Sequence, residues 1–334
     1  MKRRFIFYGK KLLSFTASIF ILSVLVFCIA RLAPGDPLAS YYGTRVEKMS
    51  VEEREKAMER LGLNEPLAMQ YGKWLGHAVQ GDFGISYKYK QDVMEVIGAR
   101  VGNTLLLGGL GFVCLFVLAL LLGFFCAYCA DCFADRVICM LGTAVSVIPE
   151  FWLSLLLIFI FSVSLRLLPS SGAYTLGEGG GFSDRLLHLI LPLCAVILGH
   201  LWYYAYLVRN RLLEEMRADY VLLARAKGLD RRAVLLGHCL KNVLPTYLGI
   251  MAISVPHVLG GTYIVETVFS YPGIGTLVYE SARYKDYNLL MVLALLSGIV
   301  VIFSSRIGQA VGERFDPRVT AAGTGRESMQ GWGG

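Results

Sequence analysis

The chain has 334 residues, of which 55% are hydrophobic and 17% charged, with a formal net charge of +7. That is too little charge to cover a soluble domain of this size, and apolar runs near the ~20 residues that cross about 30 Å of hydrocarbon recur along it. The basic residues concentrate at the ends of those runs, which the positive-inside rule explains better than nucleic-acid binding does.

Six spans are predicted, over residues 12–32, 103–130, 137–168, 188–208, 245–264 and 288–311. The second and third are long enough to tilt or to include an interfacial turn. The first could be a signal peptide, but its apolar run is longer than usual and ends in Arg31-Leu32-Ala33-Pro34-Gly35-Asp36-Pro37 without a small-x-small cleavage pattern. It is read as a retained span. Lys2, Arg3, Arg4, Lys10 and Lys11 precede it and place the N-terminus in the cytoplasm. Six crossings return the C-terminus to that side, with Arg314, Arg318 and Arg326.

Residues 33–102 then lie outside and form a small helical cap. Val51, Ala57, Met58 and Leu61 fall on one side of a helix, Asn64-Glu65-Pro66 breaks it, and a second helix covers 67–79. Gly81-Asp82-Phe83-Gly84 is a turn, and a further helix over 92–100 leads into the second span. After that span, Cys126, Cys129 and Cys132 have the look of a metal string. With no further ligand set nearby, they are read as small apolar residues at a helix end.

Three ionisable residues fall inside spans: Glu150 after Pro149, His200, and His257 after Pro256. Each is about twelve residues into its span, or roughly 18 Å deep at 1.5 Å per residue. Such groups are candidates for a translocation pathway, and the alternative is a hydrogen bond between helices. Ser171 with a distant histidine would suggest an intramembrane protease, but it begins an external loop beside Pro169.

The longest polar interval of the second half is 209–245. It carries eight Lys/Arg (Arg209, Arg211, Arg217, Arg225, Lys227, Arg231, Arg232, Lys241) against Glu214, Glu215, Asp219 and Asp230. Asp219 is expected to cap a helix over 220–227, Gly228 to end it in the left-handed conformation, and Asp230 to cap a second helix over 231–240. Gly237 weakens the far end of that second helix. Ala224 and Ala226 would admit another backbone, with Tyr220 and Leu223 as apolar knobs. Physics alone leaves two occupants for this surface, a protein groove or anionic lipid. The chain has no G-x-x-x-x-G-K-[ST] loop, no G-x-S-x-G elbow and no H-E-x-x-H pair. No catalytic residue, metal ligand or bound cofactor is expected in it.

Asp219-Tyr220-Val221, Ala224-Arg225-Ala226-Lys227-Gly228-Leu229 and His238-x-Leu240-Lys241-Asn242-x-x-Pro245 resemble the coupling loop of bacterial ABC importer permeases, in the dipeptide/oligopeptide/nickel branch. Leu222-Leu223-Ala224 stands where the general Glu-Ala-Ala start would be, as in that branch, and Lys241 where it usually has Arg. The exit of the first span, Leu61-Gly62-Leu63-Asn64-Glu65-Pro66-Leu67 with Gln70-Tyr71 and Trp74-Leu75, and Gly81 to Ser86 resemble the branch as well. So do Gly260-Gly261, Glu266, Phe269, Pro272-Gly273-Ile274-Gly275 and the ending Asp316-Pro317-Arg318.

The resemblance implies an all-α integral membrane protein with six transmembrane helices of the type I ABC importer permease kind. Its parts would be the first span (1–32), an extracytoplasmic helical segment (33–100), a permease core (101–312) and a cytoplasmic tail (313–334). It implies ATPase coupling through Asp219, Tyr220, Leu223, Ala224, Ala226, Lys227, Gly228 and His238. Gly260, Gly261, Glu266, Pro272, Gly273 and Gly275 would be gate or turn residues. The implied partners are a second permease, two ATPases that use the ATP, and an extracytoplasmic binding protein, in a bacterial cytoplasmic membrane. The cargo would be small peptides or a nickel-type metal complex. A stand-alone secondary transporter or channel is the alternative.

Overall fold

The computed structural model describes residues 2–32, 38–175, 177 and 181–315. Features expected at 33–37, in the Asp316-Pro317-Arg318 ending and in the glycine-rich tail lie outside the described residues. In chain order the helices are α1 (Lys2–Leu32), α2 (Ala39–Tyr42), α3 (Val51–Arg60), α4 (Leu67–Val79), α5 (Val93–Tyr128), α6 (Phe133–Ser146) and α7 (Glu150–Leu157). They continue as α8 (Phe182–Glu215), α9 (Asp219–Ala226), α10 (Arg231–Val234), α11 (Leu240–Val268), α12 (Ile274–Arg283) and α13 (Tyr287–Phe315). Wider, π-type turns extend α7 over Ile158–Ser164 and join α10 to α11 over Leu235–Cys239. No strand occurs among the described residues, only an isolated bridge between Ile85 and Asp92.

Five helical runs are long and apolar enough to cross a membrane: Leu13–Leu32, Val93–Tyr128, Phe182–Glu215, Arg231–Val268 and Tyr287–Val311. A sixth requires α6 and the extended α7 to be taken together, and these meet at 103°. The single span expected over 137–168 is therefore broken. Pro149 disfavours helix at the residue before it and stands as the extended cap of α7, at φ −58° and ψ 141°. Residues 209–215 and 241–244, placed outside the predicted helices, are helical, the helix expected over 231–240 runs on without a break into α11, and Pro192, Pro245 and Pro256 all lie inside helices. The helix expected over 92–100 is the start of α5 itself.

The chain divides into two compact units, one of Met1–Thr104 with Pro272–Ile302 and one of Leu105–Tyr271 with the chain from Phe303 onward. In the first, α4 lies on α1 through aromatic rings: Tyr71 and Trp74 stand 5.4 and 5.8 Å from the buried Phe27. The Ser23 and Tyr71 hydroxyls bond at 2.8 Å. Ser50 and Glu53 form a complete capping box on α3, and those bonds from Ser50 hold the Glu53 carboxyl below its usual range. The Gln70 amide donates to the carbonyls of Leu63 (3.1 Å) and Glu65 (2.8 Å), fixing the bend between α3 and α4.

The second unit is built around α8, which packs on α6, α7 and α11. Phe116 of α5 stacks 4.6 Å from Tyr204 of α8, and the Tyr247 hydroxyl donates to the Phe116 carbonyl at 2.7 Å. Gly123 lets α5 meet α8 closely, since a Cβ there would stand 2.5 Å from the Ala205 carbonyl oxygen. Gly142 does the same for α6 under the Trp202 ring.

Candidate functional site

Two groups of predicted residues take shape in the second unit. The first is α9. Its start differs from expectation: Ala218 is the capping position, with no side-chain cap, and Asp219 is the first helical residue. Its end is as expected. Gly228 has φ +82°, and the Leu229 amide reaches back to the Ala224 carbonyl at 3.3 Å. Asp230 caps α10, accepting from the Ala233 amide at 3.0 Å.

The helix has two faces. Val221 and Ala224 are buried in the unit's own core. Ala224 is thus a spacer against this chain, where the sequence suggests a surface open to another backbone. Outward, Leu222 and Leu223 are 66% and 60% exposed, in line with the exposed Arg225, Ala226, Lys227 and Gly228. Arg225 and Lys227 form no ion pair among the described residues. Tyr220 is half-buried, and its hydroxyl donates to Glu215, which also accepts from Asn242 at 3.1 Å. Burial, then the bond to Glu215, pushes its phenol well above the ordinary range. His238 is exposed, with its ring 6.4 Å from that of Tyr220. Leu222 is the exposed residue that the sequence pattern did not single out, since nothing in the local spacing separates it from Leu223.

The second group is Glu150, His200 and His257, which come together from α7, α8 and α11. His200 donates from Nδ1 to the Val196 carbonyl at 3.0 Å, and the same nitrogen lies 3.8 Å from Glu150 Oε1. The two imidazoles meet edge to face with centroids 4.8 Å apart. Glu150 and His200 are largely enclosed, their side chains 13% and 8% exposed, whereas His257 opens to the surface of the subunit. Glu150 Oε1 is buried without a hydrogen-bond partner. Gly261 backs the cluster: a Cβ there would stand 2.6 Å from both Glu150 Oε2 and His200 Cε1. Its role is close approach inside α11, not a turn, and Gly260 beside it is exposed with open space around it. Among the described residues no three His, Cys, Asp or Glu side chains converge as a metal site, and Cys126, Cys129 and Cys132 are free thiols.

Of the other expected gate residues, Glu266 is buried in the last turn of α11, and its carbonyl accepts the Tyr271 amide at 2.8 Å. In the first unit, Pro272 accepts from Asn103 at 2.7 Å, Gly273 caps α12 and Gly275 is buried within α12. A cavity of about 730 Å³ opens among α5, α6 and α8, lined by Trp202, Tyr203, Tyr206, Thr143, Ser146 and Arg209 among others. Tyr203 and Tyr206 are 64% and 56% exposed. They escape a sequence search because tyrosine at one helix face reads equally as core.

The described residues are thus mostly helical, with apolar runs long enough to cross a membrane and a short helix offering leucine and arginine between two of them. The chain belongs to the family described as binding-protein-dependent transport system inner membrane component, which it matches over residues 119–321. It is 34% identical over 299 residues to the oligopeptide transport system permease protein AppB of Bacillus subtilis, covering 89% of this chain and 94% of that one. It is 32% identical over 312 residues to the probable peptide ABC transporter permease protein y4tP of Sinorhizobium fredii, covering 93% and 97%. In fold it is similar to a chain of the inward-facing MetNI methionine ABC transporter, with TM-score 0.51, 19% identity, and 65% and 97% of the two chains covered.

Proposed function

We propose that this chain is one permease subunit of an ATP-driven importer for small peptides, working with a second permease, two ATPases and an extracytoplasmic binding protein. The observation that carries the reading is α9, which buries Val221 and Ala224 in its own subunit and offers Leu222, Leu223, Arg225 and Lys227 outward. An exposed leucine pair rimmed by cations suits a protein groove with acidic edges. Peptide cargo, ahead of a nickel-type metal complex, is supported by relatives whose names speak of peptides and oligopeptides. In this reading both termini are cytoplasmic, and ATP is bound and hydrolysed by the partner subunits only. The ATPases close on ATP and displace α9. The gain comes from their differential binding to two states of the permease, so this chain catalyses no covalent step.

Glu150, His200 and His257 are assigned to the pathway. A buried carboxylate with one unpartnered oxygen suits a peptide ammonium arriving past the exposed His257. The test is ATP-dependent uptake of labelled trialanine by the whole importer in proteoliposomes, with and without its ATPases. Uptake that needs them supports the reading. Equal uptake without them returns the chain to the secondary-transporter class.

A further inference from the structure

The two ends of the 209–231 interval grip the same turn. Arg209, on α8 before α9, donates to Asp135 of α6 through Nε at 2.8 Å and Nη2 at 2.6 Å. Arg231, immediately after α9 at the start of α10, donates to the carbonyl of Ala127 in the last turn of α5 at 2.9 Å. Between these two anchors lies the short connection from α5 to α6. It turns through Asp131 in the left-handed region at φ +67°, and its amide is held by Asp135 Oδ2 at 3.0 Å. Asp135 also accepts from the Cys139 thiol at 3.5 Å. Its side chain is 2% exposed and that of Arg209 15%.

A bidentate pair of this kind fixes direction as well as distance. Its desolvation makes it a poor device for stability alone, since apolar residues fill such positions as well or better. What it does here is join elements that hydrophobic packing would allow to slide. Beyond the turn, α6 ends at Ser146, where the chain bends by 103° into α7, and α7 begins with Glu150. The other member of the pair sits on α8, the helix that carries His200.

We propose that Asp135, Arg209 and Arg231 form a clamp that makes the coupling helix and the adjacent ends of α5, α6 and α8 move as one body. Displacement of α9 is thereby delivered to the bend and so to Glu150. These are positioning residues, because none of them faces the Glu150 cluster. The inference rests on the reading that α9 docks an ATPase.

The experiment uses the complete importer, purified through a tag on this chain and reconstituted in proteoliposomes. Three quantities are read for each variant: ATPase subunits retained, ATP hydrolysed and labelled trialanine imported. Asp135→Asn and Arg231→Ala are expected to keep the ATPases bound and hydrolysing while import per ATP falls about tenfold, the scale of a typical coupling term. Exchange of the pair, Asp135→Arg with Arg209→Asp, is expected to recover most of that ratio. A wild-type ratio in Asp135→Asn overturns the clamp, and so does a lower protein level at an unchanged ratio, which is what a merely structural pair would give. If Asp135→Asn does not reach the membrane, Arg231→Ala decides alone, since it leaves the ion pair intact, and a wild-type ratio there overturns the proposal. Failure of the docking reading looks different, because the unmodified importer would then retain no ATPase through this chain.

Discussion

Two polar intervals interrupt the apolar helices, residues 38–92 in the first unit and 209–231 in the second, and they spend their polar groups in opposite ways. The first ties several of them to one another or to the Glu280 and Asp286 carboxyls of its own unit. Lys73 pairs with Glu65, Lys88 with Glu280 at 2.7 Å, Tyr89 donates to Glu280, and the Ser86 hydroxyl and the Lys88 amide both donate to Asp286. The second leaves α9 with two exposed leucines and two cations without ion-pair partners among the described residues. Polar groups tied down within one unit hold its shape, whereas the leucines and cations of α9 are left open to something else. In the proposed importer, the difference separates the part of the chain that holds shape from the part that receives work.

The comparison breaks most sharply at Gly228. Proline there would need φ near −65° where the chain has +82°, so Gly228→Pro should abolish ATP-dependent uptake while the protein still inserts. Normal uptake by that variant would remove α9 from the coupling path. Next is Leu223→Glu, which alters only an exposed residue. It should weaken ATPase retention by about 2 kcal/mol or more, the scale of a central interface residue, with unchanged membrane levels, measured by co-purification. Glu150→Gln should alter the rate or half-saturation of trialanine uptake without altering assembly, and identical kinetics would take Glu150 out of the pathway.

Effects in the self-satisfied interval should be smaller and purely structural. Ser50→Ala removes the α3 cap and should cost about 1 kcal/mol of local stability, read by hydrogen exchange over α3, with uptake per molecule as before. At Glu280, burial opposes ionisation, but the bonds from Lys88 and Tyr89 outweigh it and hold the carboxyl below its ordinary range. The same contacts, led by burial, push the Tyr89 phenol up, so it stays protonated. A depressed carboxyl contributes stability above its unfolded value and loses it as pH falls through the folded one. Amide protection around Tyr89, measured relative to the intrinsic exchange rate, should therefore fall on acidification, and less so in Glu280→Gln.

The helices were largely legible because hydropathy fixes apolar runs irrespective of partners. Prolines were not. Pro192, Pro245 and Pro256 pass inside helices, while Pro149 ends one run and starts another, and local chemistry is the same in all four. What differs is tertiary: α7 leaves the axis of α6 and places Glu150 against His200. The three ionisable residues could be picked out one by one from their depth, but their meeting depends on how α7, α8 and α11 pack. Gly260-Gly261, read as gate or turn residues, lie inside α11, where Gly261 makes room for Glu150. A glycine kept for flexibility and one kept for a neighbour's carboxylate share one letter. Ala224 shows the converse case, a small residue in a recognisable motif whose smallness serves its own core.

A break in a span also decides what can leak. Around the bend the Val147 and Ile148 amides turn back onto the Val145 carbonyl and the Pro149 carbonyl accepts from the Leu153 amide, so the helical ladder is interrupted there. Interrupted backbone at membrane depth persists only against protein or water. Water reaching that bend would stand next to the Glu150 carboxyl and the two imidazoles, groups able to relay protons. A membrane that lives on its proton gradient tolerates such a path only if it is never open from end to end. In the proposed importer the resting seal then has to be tight enough for the smallest of all cations, a stricter demand than excluding peptides.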